Sequence, residues 1–396
     1  MMDDFWIYQA YDVFASYDTG IKIDYVLIYL LGAWYTLYFA RKIGNAPNNK
    51  KWWKYATVYA LFFSIIEGCR YLRGTDYLNY GLYYKYSIEG NSTEFIYNFF
   101  QAIFHKLQIP FYGVLFFYAL CWIVCLLLWC KGNRKLSLAY LLPVSLVFSW
   151  QSFECFVRQC FAFSFVFMFL SYLLAGKYKH ALLFAFIAVF IHNASALFIL
   201  IILGIYTMRN RLLDVRIYIV VYLLAVFLLN MQFLPIIQKV TSYIPFIGDS
   251  FFGRYLTQAN NWFSSDAAKD SYSRGFVSNV IVAIFDISVM YLCYVHQRKD
   301  NAKDVTFYYN LFCITNIFLQ LSFNFEIIRR IFIMFYMFSA YLVAYIMSTK
   351  AIRKNESYLR LYIKVFVMVY FVKTILLASN QLLIWDASGK YYFNLF

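Results

Sequence analysis

Apolar runs long enough to cross a bilayer recur from end to end of this chain, separated by short loops rich in lysine and arginine. That alternation constrains the fold more than any motif does. The runs fall at about 24–40, 55–69, 110–130, 136–150, 158–175, 181–206, 217–230, 276–295, 305–321, 331–348 and 360–379. Crossing about 30 Å of hydrocarbon takes roughly 17–25 helical residues. The expected class is all-α: a polytopic integral membrane protein with about 10–12 membrane helices, some short or re-entrant. A chain that is 63% hydrophobic and 14% charged excludes a soluble domain, where charged residues run at about 25%. No repeat or linker divides it, so 1–396 reads as one integral domain.

The N-terminus opens Met1-Met2-Asp3-Asp4 with no basic n-region, so the first span is expected to direct insertion itself. The eight cysteines sit mostly inside apolar runs, without a CxxC pair or a Cys/His metal spacing, and read as packing residues. The net charge of +15 belongs mostly to short loops between spans, so it reports topology rather than a nucleic-acid partner.

Loop charge sets the orientation. Segment 41–54 carries Arg41, Lys42, Lys50, Lys51 and Lys54 with no acid, whereas 1–24 carries Asp3, Asp4, Asp12, Asp18 and Asp24 against Lys22. The N-terminus is therefore expected outside and 41–54 inside. A full crossing by 181–206 would put Arg209, Arg211 and Arg216 outside and place Arg298, Lys299 and Lys303 on the wrong side. The conflict disappears if 181–206 enters from the cytoplasm, breaks at His192-Asn193 and returns. Every short basic loop, including Lys350/Arg353/Lys354, is then cytoplasmic, and both termini are external. A straight span with loops that disobey the rule is the alternative.

On this topology the polar segments 70–109, 151–158, 231–275 and 324–330 gather on the external face. Loop 231–275 is long for a connector and adds Arg254 and Arg274 to that face. Segment 94–109 has apolar residues at helical spacing and is expected to lie along the membrane surface.

Four charged sets stand out. Arg70-Tyr-Leu-Arg73-Gly74-Thr75-Asp76-Tyr77 closes a span, where the arginines either snorkel or face a site, and Asp76 either neutralises them or does chemistry. Glu154 and Arg158 are four apart, so a helix through them would put both on one face, as a salt bridge or a site. His192-Asn193 marks a helix break and reads equally as a hydrogen-bonded structural histidine. Glu326-Ile-Ile-Arg329-Arg330 begins a span with two adjacent cations that point to different faces, so only one need serve a cavity. External guanidinium forks suit phosphate or diphosphate oxygens.

The order Arg70-x-x-x-Gly74-Thr75-Asp76-Tyr77-x-x-Tyr80, Glu94 before an amphipathic helix, Arg158-Gln159-x-x-Ala162, Gly176-Lys177-Tyr178, His192 and Arg329 resembles the Wzy-type bacterial polysaccharide polymerases, in their EpsG-like branch. The resemblance covers roughly 25–345. Arg73, where that pattern usually has an apolar residue, and Asn193 depart from it. It implies a GT-C-like membrane glycosyltransferase of the bacterial cytoplasmic membrane. Such an enzyme joins oligosaccharide repeat units carried on undecaprenyl diphosphate, serving as both donor and acceptor, at the outer face. A chain-length regulator and a flippase of the same pathway are the implied partners. Arg70, Arg158 and Arg329 are expected to oppose the charge of the departing diphosphate, with Thr75, Tyr77, Gln159, Arg254, Arg274 and Arg330 as further binding residues. Asp76, Glu94, Glu154 and His192 compete to accept the proton of the attacking hydroxyl, a carboxylate being favoured. No Asp-x-Asp element suggests a divalent metal, so activity is expected without metal or other cofactor. A lipid-linked oligosaccharide flippase and an O-antigen ligase-type transferase are the competing readings; the flippase would be expected to show paired repeats, which the sequence lacks.

Overall fold

A computed structural model describes residues 23–70, 80–81, 84–85, 94–133, 136–229, 276–322, 326–350 and 354–380. Every regular element among them is helical: α1 (Ile23–Gly44), α2 (Asn49–Gly68), α3 (Phe95–Lys106), α4 (Phe111–Gly132), α5 (Leu138–Cys155), α6 (Val157–Leu174), α7 (Tyr178–Ile191), α8 (Ser195–Tyr206), α9 (Val215–Leu224), α10 (Phe276–Asp300), α11 (Lys303–Leu321), α12 (Glu326–Tyr336), α13 (Ser339–Ser348) and α14 (Lys354–Asn380). A π-helical turn, Ala225–Leu229, extends α9. Among the described residues four spans are long and apolar enough to cross a membrane by themselves, α4, α6, α10 and the α12–α13 stretch Arg329–Ser348, and shorter apolar helices include α7, α8 and α9. The expected run 331–348 is thus two helices joined by a tightened turn at Met337-Phe338, where the Phe338 N–H reaches back only to the Phe335 carbonyl.

The helix ends follow local chemistry. Arg41 and Lys42 close α1 at the negative end of its dipole. The Asn48 side chain accepts from the Lys51 N–H at 2.9 Å and starts α2. Gly176, at φ +72°, makes the left-handed turn between α6 and α7 that a side chain would strain. One residue, Phe156 at φ −115° and ψ 54°, separates α5 from α6. The expected surface helix is α3, with Tyr97 and Phe104 buried and Phe95 and Phe99 exposed.

Rings of α4, α6 and the turn between α12 and α13 pack together in the bundle, Trp122, Trp129, Phe163, Phe167 and Phe338 meeting edge to face or tilted. The basic loops meet at one end of it. Lys131 lies 4.5 and 4.4 Å from the ring centres of Trp52 and Trp53, joining the loop after α4 to the start of α2. The Ser137 N–H donates to Ser348 Oγ at 3.1 Å, and the Trp129 indole to the Tyr308 hydroxyl at 2.7 Å.

Asn310 donates to the carbonyls of Met208 and Arg211, bringing the 207–214 loop to the start of α11. The hydroxyls of Tyr178, opening α7, and Tyr206, closing α8, stand 3.4 Å apart. α7 and α8 therefore form an antiparallel hairpin whose two open ends lie with the basic loops and whose tip is His192-Asn193-Ala194. A straight 181–206 helix would hold those tyrosines a full helix length apart.

Candidate functional site

The hairpin tip meets two other elements at the end of the bundle opposite the basic loops. Glu94 stands just before α3, which packs along α7; Arg158 sits in the first turn of α6; His192 caps the C-terminus of α7 in extended backbone. Glu94 Oε1 lies 2.8 Å from His192 Nδ1 and accepts the Asn193 N–H at 3.2 Å, while Oε2 faces the Arg158 guanidinium at 3.0 Å. Arg158 also covers the face of Tyr97, 5.4 Å from its ring centre. The carboxylate is buried, whereas the side chains of His192 and Arg158 remain 18% and 28% exposed and can meet a ligand.

These contacts set the charges. Burial alone would raise the Glu94 carboxyl, but the His192 hydrogen bond, the Arg158 cation and the Asn193 N–H together hold it below the usual carboxylate range. Burial pushes His192 below its ordinary value; Glu94 opposes this, and the cations Arg158 and Arg330 add to it. At neutral pH the pair is therefore carboxylate and neutral imidazole. With Nδ1–H donated to Glu94, Nε2 carries the lone pair.

Arg330 adjoins this group from α12. Its backbone carbonyl accepts from Gln159 Nε2 at 2.9 Å, and its guanidinium covers the Phe156 ring at 4.7 Å. Arg329, in the same turn, is buried. Both arginines line a cavity of about 510 Å³ between α5, α10, α11, α12 and α14, where the sequence asked for only one. Successive helical positions are only about 100° apart, so two long side chains can converge.

Arg70 and Glu154 belong to a second group, among α1, α2 and α5. The Arg70 guanidinium bonds Glu67 at 2.9 Å, both side chains being wholly buried, and it covers the Phe153 ring. The Trp150 indole donates to the other Glu67 oxygen at 2.7 Å, and the Tyr29 hydroxyl donates to Glu154. Gly32 admits this packing, since a Cβ there would lie 2.3 Å from Trp150. The expected one-face pairing of Glu154 with Arg158 does not occur, because the break at Phe156 sends the two residues to different partners.

Thr75, Asp76 and Tyr77, with Arg73 and Gly74, and Arg254 and Arg274 fall outside the described residues. Among the described residues no three His, Cys, Asp or Glu side chains converge as a metal site.

Two acids escaped the sequence reading. Glu67, three residues before Arg70 inside an apolar run, was signalled by that spacing. Asp286, at the middle of α10, is buried and accepts the hydroxyls of Tyr222 at 2.6 Å and Tyr336 at 3.0 Å. A lone carboxylate inside a span was its signal.

No curated protein and no solved structure matches the chain. The sequence model of the EpsG family matches residues 53–386, a stretch that contains Glu94, Arg158, His192 and Arg330. By that match the chain belongs to the EpsG family, a family of Wzy-type polysaccharide polymerases.

Proposed function

We propose that this protein joins oligosaccharide repeat units carried on undecaprenyl diphosphate at the outer face of the bacterial cytoplasmic membrane, with His192 as the general base. The observation that carries the reading is the Glu94–His192 bond at 2.8 Å, beside Arg330, at the end of the bundle opposite the basic loops. The positive-inside rule makes those loops cytoplasmic, which puts the pair outside, where the lipid-linked glycan is displayed.

His192 Nε2 accepts the proton of a sugar hydroxyl on the acceptor unit as that oxygen bonds to the anomeric carbon of the donor. The anomeric C–O bond breaks, and its electron pair leaves with the undecaprenyl diphosphate. Arg330 and Arg329 oppose the charge that develops on this leaving group. Glu94 fixes the imidazole tautomer and orientation and stabilises the imidazolium once formed, as a carboxylate does behind a catalytic histidine. Its oxygens already face His192, Asn193 and Arg158, which supports His192 rather than Glu94 as the group that meets the hydroxyl. Arg158 holds Glu94 ionised.

The test is conversion of purified lipid-linked repeat units by the protein in nanodiscs. H192Q is expected to insert normally and lose polymer formation by about 10²–10⁴-fold, the usual worth of a general base. Polymerisation within a few-fold of wild type would remove His192 from that role. In cells, a deletion that leaves single capped repeats fits a polymerase, while unattached long chains would indicate a ligase instead.

A further inference from the structure

At the end of the bundle opposite Glu94 and His192, the α1–α2 hairpin carries a groove of about 580 Å³ whose chemistry changes with depth. Trp34, Leu37, Tyr38, Arg41, Lys42 and Asn45 line it from α1, and Lys51 and Tyr55 from α2. The α1 positions recur at intervals of three and four, so they form one stripe of that helix.

Three cations gather at its mouth. Segment 41–54 brings five basic residues and no acid to this point. Among the described residues the side chains of Arg41 and Lys51 meet no carboxylate and no ring, and Lys42 lies 5.5 Å from the ring centre of Tyr38. By contrast, Lys131 is spent on the rings of Trp52 and Trp53, Arg209 on the ring of Tyr206, and Arg360 on the carbonyls of Ile346 and Thr349.

Below the cations the groove turns apolar. Trp34, 62% exposed, stacks along Tyr38 with ring centres 6.1 Å apart, and the same stripe of α1 continues through Leu31, Leu30 and Leu27, all exposed. From Arg41 back to Leu31 is ten residues, about 15 Å, or half of the roughly 30 Å hydrocarbon core. The positive-inside rule sets the cations at the cytoplasmic headgroup layer. A partner with phosphate oxygens at that level and hydrocarbon one leaflet deep is a phospholipid. Three cations without an acid select one of net negative charge, because a zwitterionic headgroup would bring its own cation into the same patch.

We propose that the α1–α2 groove binds an anionic phospholipid of the cytoplasmic leaflet, its phosphate held by Arg41 and Lys51 with Lys42 beside them, and an acyl chain lying along Leu37, Trp34 and Leu31. The site is remote from the Glu94–His192 pair and does not rest on the polymerase reading.

The test places the full chain in phosphatidylcholine nanodiscs with a trace of phosphatidylglycerol that carries a photoactivatable group midway along one acyl chain, and maps the labelled residues by peptide mass spectrometry. Labelling within 31–38 is expected to exceed that by the matching phosphatidylcholine probe roughly tenfold or more, since each cation beside an anionic headgroup is worth roughly fivefold in binding. K51Q, at an exposed position, lowers the labelling by about that single factor, and R41Q/K51Q brings it close to the phosphatidylcholine level. K177Q/K179Q, which removes two charges from another loop of the same end, leaves it unchanged. Excess inorganic phosphate or glycerol phosphate also leaves it unchanged, because neither has hydrocarbon to lay along α1. Equal labelling by the two probes overturns the proposal, as does wild-type labelling in R41Q/K51Q. An equal loss in K177Q/K179Q would reveal a diffuse surface field rather than a site, and displacement by free phosphate a site for the headgroup alone; either result overturns it as well.

Discussion

Two charged groups lie at the same end of this bundle, each built on an arginine paired with a buried glutamate. In one, Glu67 and Arg70 are wholly buried and enclosed by the rings of Trp150 and Phe153. In the other, Glu94 is buried but His192 and Arg158 keep a side open. A buried ion pair costs its desolvation and repays it through geometry, so removing one partner strands the other. A pair with one exposed member can take a proton from something that arrives. Exposure of the terminal partner, rather than the presence of charge, separates a joint in the fold from a site for chemistry.

The sharpest way to break that comparison is to truncate both groups and ask whether activity or protein is lost. Within the open group, H192Q removes the proposed base, and E94Q added to it is expected to cost little more. Groups that act as a unit are strongly non-additive. If the double variant in the nanodisc assay fell by the product of the two single losses, Glu94 would hold a role of its own towards substrate.

In the buried group the loss is of protein. R70A leaves the Glu67 carboxylate buried, a change worth about 3–5 kcal/mol in such pairs. Burial of Arg70 predicts less folded protein from R70A, with polymer formed per folded molecule close to wild type. Quantifying membrane-inserted protein beside turnover decides it, and normal insertion with no polymer would return Arg70 to the site. Y29F makes the same point at smaller cost. Losing the hydroxyl that donates to Glu154 should lower thermal stability by about 1–3 kcal/mol and leave turnover unchanged.

The features legible in sequence were those carried by one contiguous segment. Most apolar runs became helices with boundaries shifted by a few residues, 331–348 dividing at Met337-Phe338, the α3 face followed from its spacing, and the break at His192-Asn193 followed from a polar pair between two apolar halves. What sequence could not supply was pairing across distance. Glu94 and His192 are 98 positions apart and meet only because the α7–α8 hairpin returns its tip to the start of α3. Glu154 and Arg158 fail to meet because a single residue breaks the helix between them, and Phe156 carries no proline or glycine to announce it. Asp286 and its two tyrosines, from three separate helices, were likewise invisible as a set.

The smallest expected effect is the most specific to the open group. Protonation of His192 would remove the proposed base, so polymerisation by the wild type should fall towards acid, with its midpoint below the ordinary histidine value of about 6.5 because burial and the cations Arg158 and Arg330 disfavour the imidazolium. R158Q deletes one of those cations while keeping an amide able to reach Glu94. The His192 value then rises, and the acid limb of the kcat/KM profile moves to higher pH. Wild type and variant should differ least above pH 8 and diverge steadily below it. A merely structural Arg158 would scale the whole profile down without moving its midpoint. The corresponding change in the buried group, R70Q, should leave the midpoint where it is, because neither His192 nor Glu94 takes its charge from Arg70.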